Sequence, residues 1–171
     1  TGEWDSNNVL GLGWDPGSDP QSNGVASGVE DSLVNAASTG TNEFFQTTLA
    51  DGIHSFDVQA IDRAGNESSS VTWNDVRIDT EPPTIVTNIA SSSHTPGIWS
   101  ANPDVTLTWD ASSDITSGIS HYTIQGVDIG NVLTATVPVG DGIFTFVIHA
   151  VDLAGNESAI SSLMDIRIDT L

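Results

Sequence analysis

The side chains of this sequence best equipped for chemistry are its carboxylates. Asp79 and Glu81 flank Thr80, Asp110 and Asp114 stand four residues apart, and Asp152 opens the run Asp152-Leu153-Ala154-Gly155-Asn156. Such groups offer only oxygen, which suits a hard cation: Ca²⁺ takes about six to eight ligands from carboxylates, side-chain amides and backbone carbonyls. Zinc and copper favour histidine or cysteine. The sequence has no cysteine, and its histidines, His54, His94, His121 and His149, are scattered. Asp and Asn also have a purely structural use, because they close turns by bonding to backbone amides and Asn tolerates the left-handed conformation. Both uses stay open for Asp152 and Asn156, and for Asp62 and Asn66, which repeat them.

Catalysis has little support. His54 falls opposite Phe144, and His149 opposite Gln59, when the chain is aligned on itself at a shift of 90, exchanges that a catalytic base would not tolerate in two active copies. No serine lies in a nucleophile elbow, no glycine-rich phosphate loop follows a strand, and no His-Glu-x-x-His motif is present. The formal net charge is −20, from 23 acidic residues against three arginines and no lysine. That charge repels nucleic acid and anionic membranes and attracts cations. No apolar run approaches the length of a membrane span, so membrane insertion is not expected, and any targeting or anchoring segment is expected outside these residues.

The elements that must position the carboxylates are duplicated. Asp51-Gly52-Ile53 through Asn66-Glu67-Ser68 returns as Asp141-Gly142-Ile143 through Asn156-Glu157-Ser158, and Arg77-Ile78-Asp79-Thr80 returns as Arg167-Ile168-Asp169-Thr170. Nearer the start, Gly2 to Asp15 matches Gly97 to Asp110 at a shift of 95, so the first copy carries five extra residues within Pro20 to Ala26, as expected of a surface loop. A repeat this long is one domain per copy. Phe56, Val58 and Ala60, like Phe146, Ile148 and Ala150, alternate with polar neighbours, the period of a half-buried strand. Strands are expected near residues 84–90, 104–109, 119–125, 129–138, 143–152 and 160–169, with the first copy matching except at its start. Residues 82–96 have no counterpart before Gly2, and Glu81-Pro82-Pro83 reads as a short, stiff linker. The reading is all-β: two tandem antiparallel immunoglobulin-like β-sandwich domains, 1–81 lacking its first strand and 82–171 complete.

The ordered combination of Trp99-Ser100, Val105 to Trp109, Asp114, Ser117-Gly118-Ile119, Asp141-Gly142, Ala150-x-Asp152-x-Ala154-Gly155-Asn156 and Ile168-Asp169-Thr170 resembles the bacterial immunoglobulin-like or fibronectin type III-like repeats of large extracellular proteins. Ser32 departs from it, standing where the second copy has Tyr122. The resemblance implies a secreted or cell-surface setting and a role as spacer, stalk or adhesin, with neighbouring repeats as partners. It also implies a topology in which the loops holding Asp110, Asp114, Asp152 and Asn156 meet the linker bringing Asp79 and Glu81. Carboxylates so gathered repel one another unless a cation neutralises them, so a Ca²⁺ site is expected there, stiffening the junction. Of the five tryptophans, Trp14 and Trp109 read as core anchors, Trp4 and Trp99 as edge covers, and Trp73 as packing, with carbohydrate binding the less favoured use. Two other readings remain: a carbohydrate-binding accessory module of a secreted hydrolase, and a filament subunit whose missing strand comes from another chain.

Overall fold

The structure, a computed structural model, describes residues 2–171 and contains no helix among them. It divides into two units, Thr1–Asp79 and Thr80–Leu171. In unit one the strands are β1 (Trp4–Asp5), β2 (Val9–Gly13), β3 (Val29–Val34), β4 (Ala37–Ser38), β5 (Phe44–Thr48), β6 (Gly52–Asp62) and β7 (Val71–Ile78). They form a five-stranded sheet in the order β1-β7-β6-β3-β4 and a two-stranded sheet, β2-β5.

Unit two comprises β8 (Ala90–Ser91), β9 (Trp99–Ser100), β10 (Asp104–Thr108), β11 (Ile119–Ile124), β12 (Val127–Asp128), β13 (Thr134–Pro138), β14 (Gly142–Asp152) and β15 (Ser161–Ile168). Its sheets run β12-β11-β14-β15-β9 and β13-β10-β8. The difference between the units is therefore β8, which pairs with β10 through Leu107 and Thr108 and has no counterpart in unit one.

Duplicated sequence gives duplicated register. Gly52 faces Ile78 and Phe56 faces Trp73, as Gly142 faces Ile168 and Phe146 faces Leu163, with the same bulge between. At that bulge Asp75 and Asp165 adopt left-handed φ of 63° and 65°. Each receives an arginine from two residues on, Arg77 and Arg167, at 2.6 Å.

Three strand expectations need correction. β1 and β9 pair in parallel with β7 and β15, so the sheets are not wholly antiparallel; in unit two, β8 and β9 follow one another yet lie in opposite sheets, and the second piece joins the last strand in parallel. The strand expected at residues 84–90 reduces to β8, because Pro82 and Pro83 have no N–H and the residues after them bond irregularly, as in Thr84 N to Ser113 O and Asp110 N to Thr87 O. The strand expected at 129–138 shortens to β13, preceded by the separate short strand β12. Gln125 and Gly126, both at positive φ, close a two-residue hairpin between β11 and β12, and left-handed Gly130 then leads the chain across to β13 in the other sheet. The five-residue insertion does lie in a loop, where Ser22 and Val25 bridge.

The unit-two core unites Val86, Val105, Leu107, Trp109, Tyr122, Ile124, Phe146, Ile148, Ala150, Ile166 and Ile168. Unit one buries five such residues, Leu12, Val34, Phe56, Val76 and Ile78. Phe56 faces inward as expected, but Val58 and Ala60 are only half-buried, whereas Ile148 and Ala150 are fully buried. Trp109 packs obliquely against Tyr122, centroids 5.7 Å apart, while in unit one Ser32 stands at the tyrosine position and Trp14 is half-buried.

Burial sets the cost of truncation. Phe146→Ala, at a site 2 % exposed, should destabilise unit two by about 3–5 kcal/mol, and Ile143→Ala, three residues earlier and 62 % exposed, by about 0.5 kcal/mol or less. Urea denaturation followed by far-UV circular dichroism checks both.

Candidate functional site

In unit two Asp110 and Asp114 lie on the loop between β10 and β11, Asp152 ends β14 and Asn156 lies on the loop after it, and Glu81 precedes β8. The first loop is held from inside: Ser112 N–H donates to the buried Tyr122 hydroxyl at 2.9 Å, and Ser112 Oγ donates to the Thr84 carbonyl. Beyond Ser112 the chain turns around Asp114, whose Oδ1 accepts the N–H groups of Thr116, Ser117 and Gly118 at 3.0, 2.8 and 3.0 Å.

The second loop closes around Asp152. Its Oδ1 accepts Ala154 N–H and Asn156 N–H, each at 2.8 Å, and its Oδ2 accepts Asn156 Nδ2 at 2.8 Å. Gly155 permits the turn by adopting φ of 89°. Carboxylate oxygens of Asp114 and Asp152 lie within 4.8 Å of each other, one half-buried and the other buried, a spacing that a metal ion can bridge. Asp152 thus takes three donors on its two oxygens.

The other expected ligands are distributed around this pair. Asn156 Nδ2 also approaches the Glu81 carbonyl at 3.5 Å, so in unit two it is the backbone of Glu81 that the loop touches. Asp110 is exposed, and its Oδ2 accepts Asn88 Nδ2 at 2.5 Å. Asp79 ends unit one, buried, with its N–H donating to the Asp5 carbonyl at 3.0 Å.

Unit one repeats the turn chemistry. Asp62 Oδ1 accepts Ala64 N–H and Asn66 N–H, and Oδ2 accepts Asn66 Nδ2, all at 2.8 Å, while Asp19 Oδ2 takes Gly28 N–H at 2.8 Å. The turn-closing use of these aspartates is therefore present in both copies. Asn66 holds the Asp62 carboxyl below its ordinary value, first through its side chain and then its backbone. Thr170, side chain foremost, does the same for Asp141, and the Arg167 guanidinium for Asp165.

The histidines are tied to backbone or to neighbours. Buried His94 spans Ser93 Oγ at 2.7 Å and the Asn102 carbonyl at 2.9 Å, and Ser93 Oγ in turn accepts Thr106 N–H at 2.8 Å. This latch ties the segment after β8 to β10, and nothing in the spacing of Ser93 and His94 announced it. Among the edge tryptophans, Trp4 and Trp99 lie under Arg77 and Arg167 at 5.8 and 6.0 Å, so one face of each ring is occupied.

This geometry defines two tandem β-sandwich modules whose loops are closed by aspartate. The modules are fibronectin type III-like. The fold is similar to that in structures of Clostridium thermocellum CbhA fibronectin(III)-like modules, with a TM-score of 0.52 and 15 % identity over 98 % of this chain and 90 % of that one. In sequence the chain is similar to Chitinase A1 of Niallia circulans, 31 % identical over 141 residues, which are 75 % of this chain and 19 % of that protein. The chain thus spans about a fifth of that relative. No family model matches.

Because the folded values of Asp62, Asp141 and Asp165 are lowered, their stabilisation is present above the ordinary aspartate value of 3.8 and is lost as pH falls below it through each folded value. Asp141→Asn keeps an acceptor for Thr170 but removes the charge. Its melting temperature should lie below that of the parent at pH 7, and the gap should close on approaching pH 2, as thermal melts across that range will check.

Proposed function

We propose that the chain is a non-catalytic spacer or adhesin segment of a secreted or cell-surface protein, its modules serving as repeating structural units. The observation that carries this reading is what has been duplicated. The β6·β7 and β14·β15 registers, their bulges and the Asp62 and Asp152 turns recur residue for residue. The cleft between Leu12, Trp14, Val58 and Trp73 does not: it is lined by unit-one residues alone. Repetition of framework without repetition of a cleft supports a mechanical rather than a chemical role.

The likeness to a protein named as a chitinase, confined to 19 % of its length, favours one second reading, an accessory carbohydrate-binding module of a secreted hydrolase. Sedimentation with insoluble chitin and cellulose separates the two. The spacer reading expects the chain to stay in solution; retention reversed by soluble oligosaccharide would replace it with the accessory reading.

Within the spacer reading, the proposed Ca²⁺ site uses the carboxylates of Asp114 and Asp152, supported by their proximity and by the net charge of −20. A cation there would fix Thr80 and Glu81 to the loops of unit two and stiffen the linker. Extracellular modules bind Ca²⁺ at about 10⁻⁴ to 10⁻³ M, so 1 mM Ca²⁺ should stabilise by about 0.4–1.4 kcal/mol. Calorimetric titration should detect binding in that range and Asp114→Asn should weaken it about tenfold; no heat at several millimolar Ca²⁺ removes the site. Asp79, Glu81 and Asp110 remain the sequence's further candidates, each tested by its own amide variant.

A further inference from the structure

His121 on β11 and His149 on β14, far apart in sequence, come to neighbouring positions on the outer face of the five-stranded sheet of unit two. In the antiparallel pairing of these strands His121 faces Val151, and Thr123 faces His149. Tyr122, Ile148 and Ala150, which alternate with them, belong to the core, so His121, Thr123, His149 and Val151 point the other way. The two imidazoles are thus diagonal neighbours, at a spacing of about 7–8 Å that aromatic side chains can span. Thr123 and Val151 face outward yet are only 9 % and 6 % exposed, which requires the longer side chains around them to close over this spot. Two carboxylates border it: Asp128 faces Thr123 from β12, and Glu157 bridges Val151 on the other flank.

The His149 tautomer is fixed by its surroundings. Nδ1 lies 3.1 Å from the Ser158 carbonyl, an oxygen that only accepts, so Nδ1 carries the proton and Nε2 keeps its lone pair. Unit one makes the same bond without a histidine: Gln59, at the corresponding position, donates Nε2 to the Ser68 carbonyl at 3.2 Å. Tying the strand to that carbonyl therefore accounts for a donor at position 149 but not for an imidazole. What the imidazole adds is a second nitrogen. His121 stands where unit one has Asp31, and its Nδ1 lies 3.1 Å from Ser120 Oγ, a hydroxyl that accepts as readily as it donates, so Nε2 of His121 is also able to hold a lone pair.

We propose that His121 and His149 form a binding site for a divalent transition-metal ion of the zinc class, each giving Nε2. A backbone carbonyl that holds the far N–H of a ligating imidazole orients the ring and raises its basicity, and the Ser158 carbonyl is so placed. Imidazole nitrogen favours such ions over Ca²⁺, and the net charge of −20, with Asp128 and Glu157 bordering the pair, raises their local concentration. Two protein nitrogens leave about two positions of a tetrahedral ion to water, so the site is open to a further ligand. It lies wholly within unit two and shares no residue with the Asp114 and Asp152 pair.

Calorimetric titration of the whole chain with Zn²⁺ tests the site, with several millimolar Ca²⁺ present throughout so that oxygen sites are already competed for. A single Zn²⁺ should bind per chain, and either His149→Gln or His121→Gln should weaken it about tenfold or more. His149→Gln keeps the bond to Ser158 that Gln59 makes in unit one, and its metal-free melting curve should match that of the parent. In imidazole ¹H–¹⁵N spectra Zn²⁺ should move the resonances of His121 and His149 and leave those of His54 in place. Absence of Zn²⁺ binding would overturn the proposal, as would binding that both variants retain at full strength. Loss in only one of the two variants would overturn the pairing of the histidines.

Discussion

A β-sheet with one apolar face is stable only while something keeps water off that face, and in each unit the constraint falls on the central strand. Phe146, Ile148 and Ala150 present their side chains to one side of β14, and their full burial requires β10, the segment around Val86 and the Trp109–Tyr122 pair on the opposite side. Unit one meets the same constraint with less. β6 carries Phe56, Val58 and Ala60 in the same register, but Ser32 replaces the tyrosine and the opposing sheet has two strands. Its smaller core follows from those two substitutions of material rather than from a different fold.

The loops obey a second requirement, that backbone amides at tight turns find acceptors. Asp152, Asp62 and Asp114 satisfy it by gathering two or three amides each, which is why aspartate and a left-handed glycine recur at these places. The same geometry concentrates negative charge at one end of unit two. Structural and cation-binding uses of these carboxylates are therefore not rivals. Turn closure positions Asp114 and Asp152 within 4.8 Å of each other, and any ion that binds there exploits a spacing that the amides already enforce.

The long strands and their facing were legible because period-two alternation survives in Gly142–Asp152, and the repeat doubled the signal. The turns at Asp62 and Asp152 were legible as chemistry, with both of their uses in view. What escaped the sequence depends on partners far along the chain. The parallel pairing of Trp4 with Arg77 and Trp99 with Arg167 involves two-residue strands too short for any periodicity. The β11–β12 hairpin turns on Gln125 at φ 54°, a residue without a strong turn preference. Residues 84–89 look strand-like because they alternate, yet the two prolines and the Ser112 and Ser161 side chains engage them individually. For the expected ligands, local sequence grouped Asp110 with Asp114, whereas the structure leaves Asp110 exposed on Asn88.

The arginines carry one further consequence. Arg77 and Arg167 lie within strands, each bridged to an aspartate and laid over a tryptophan, and no lysine is present. Arg63 alone sits in an exposed turn, where unit two has Leu153. A protease that cuts after basic residues needs several residues of unpaired, extended chain, whereas Arg63 sits in the turn that Asp62 closes, with its own N–H donating to the Gly28 carbonyl. Opening that turn is the first thing such a protease would require, so the aspartate that closes the loop also shelters the peptide bond after its exposed basic residue.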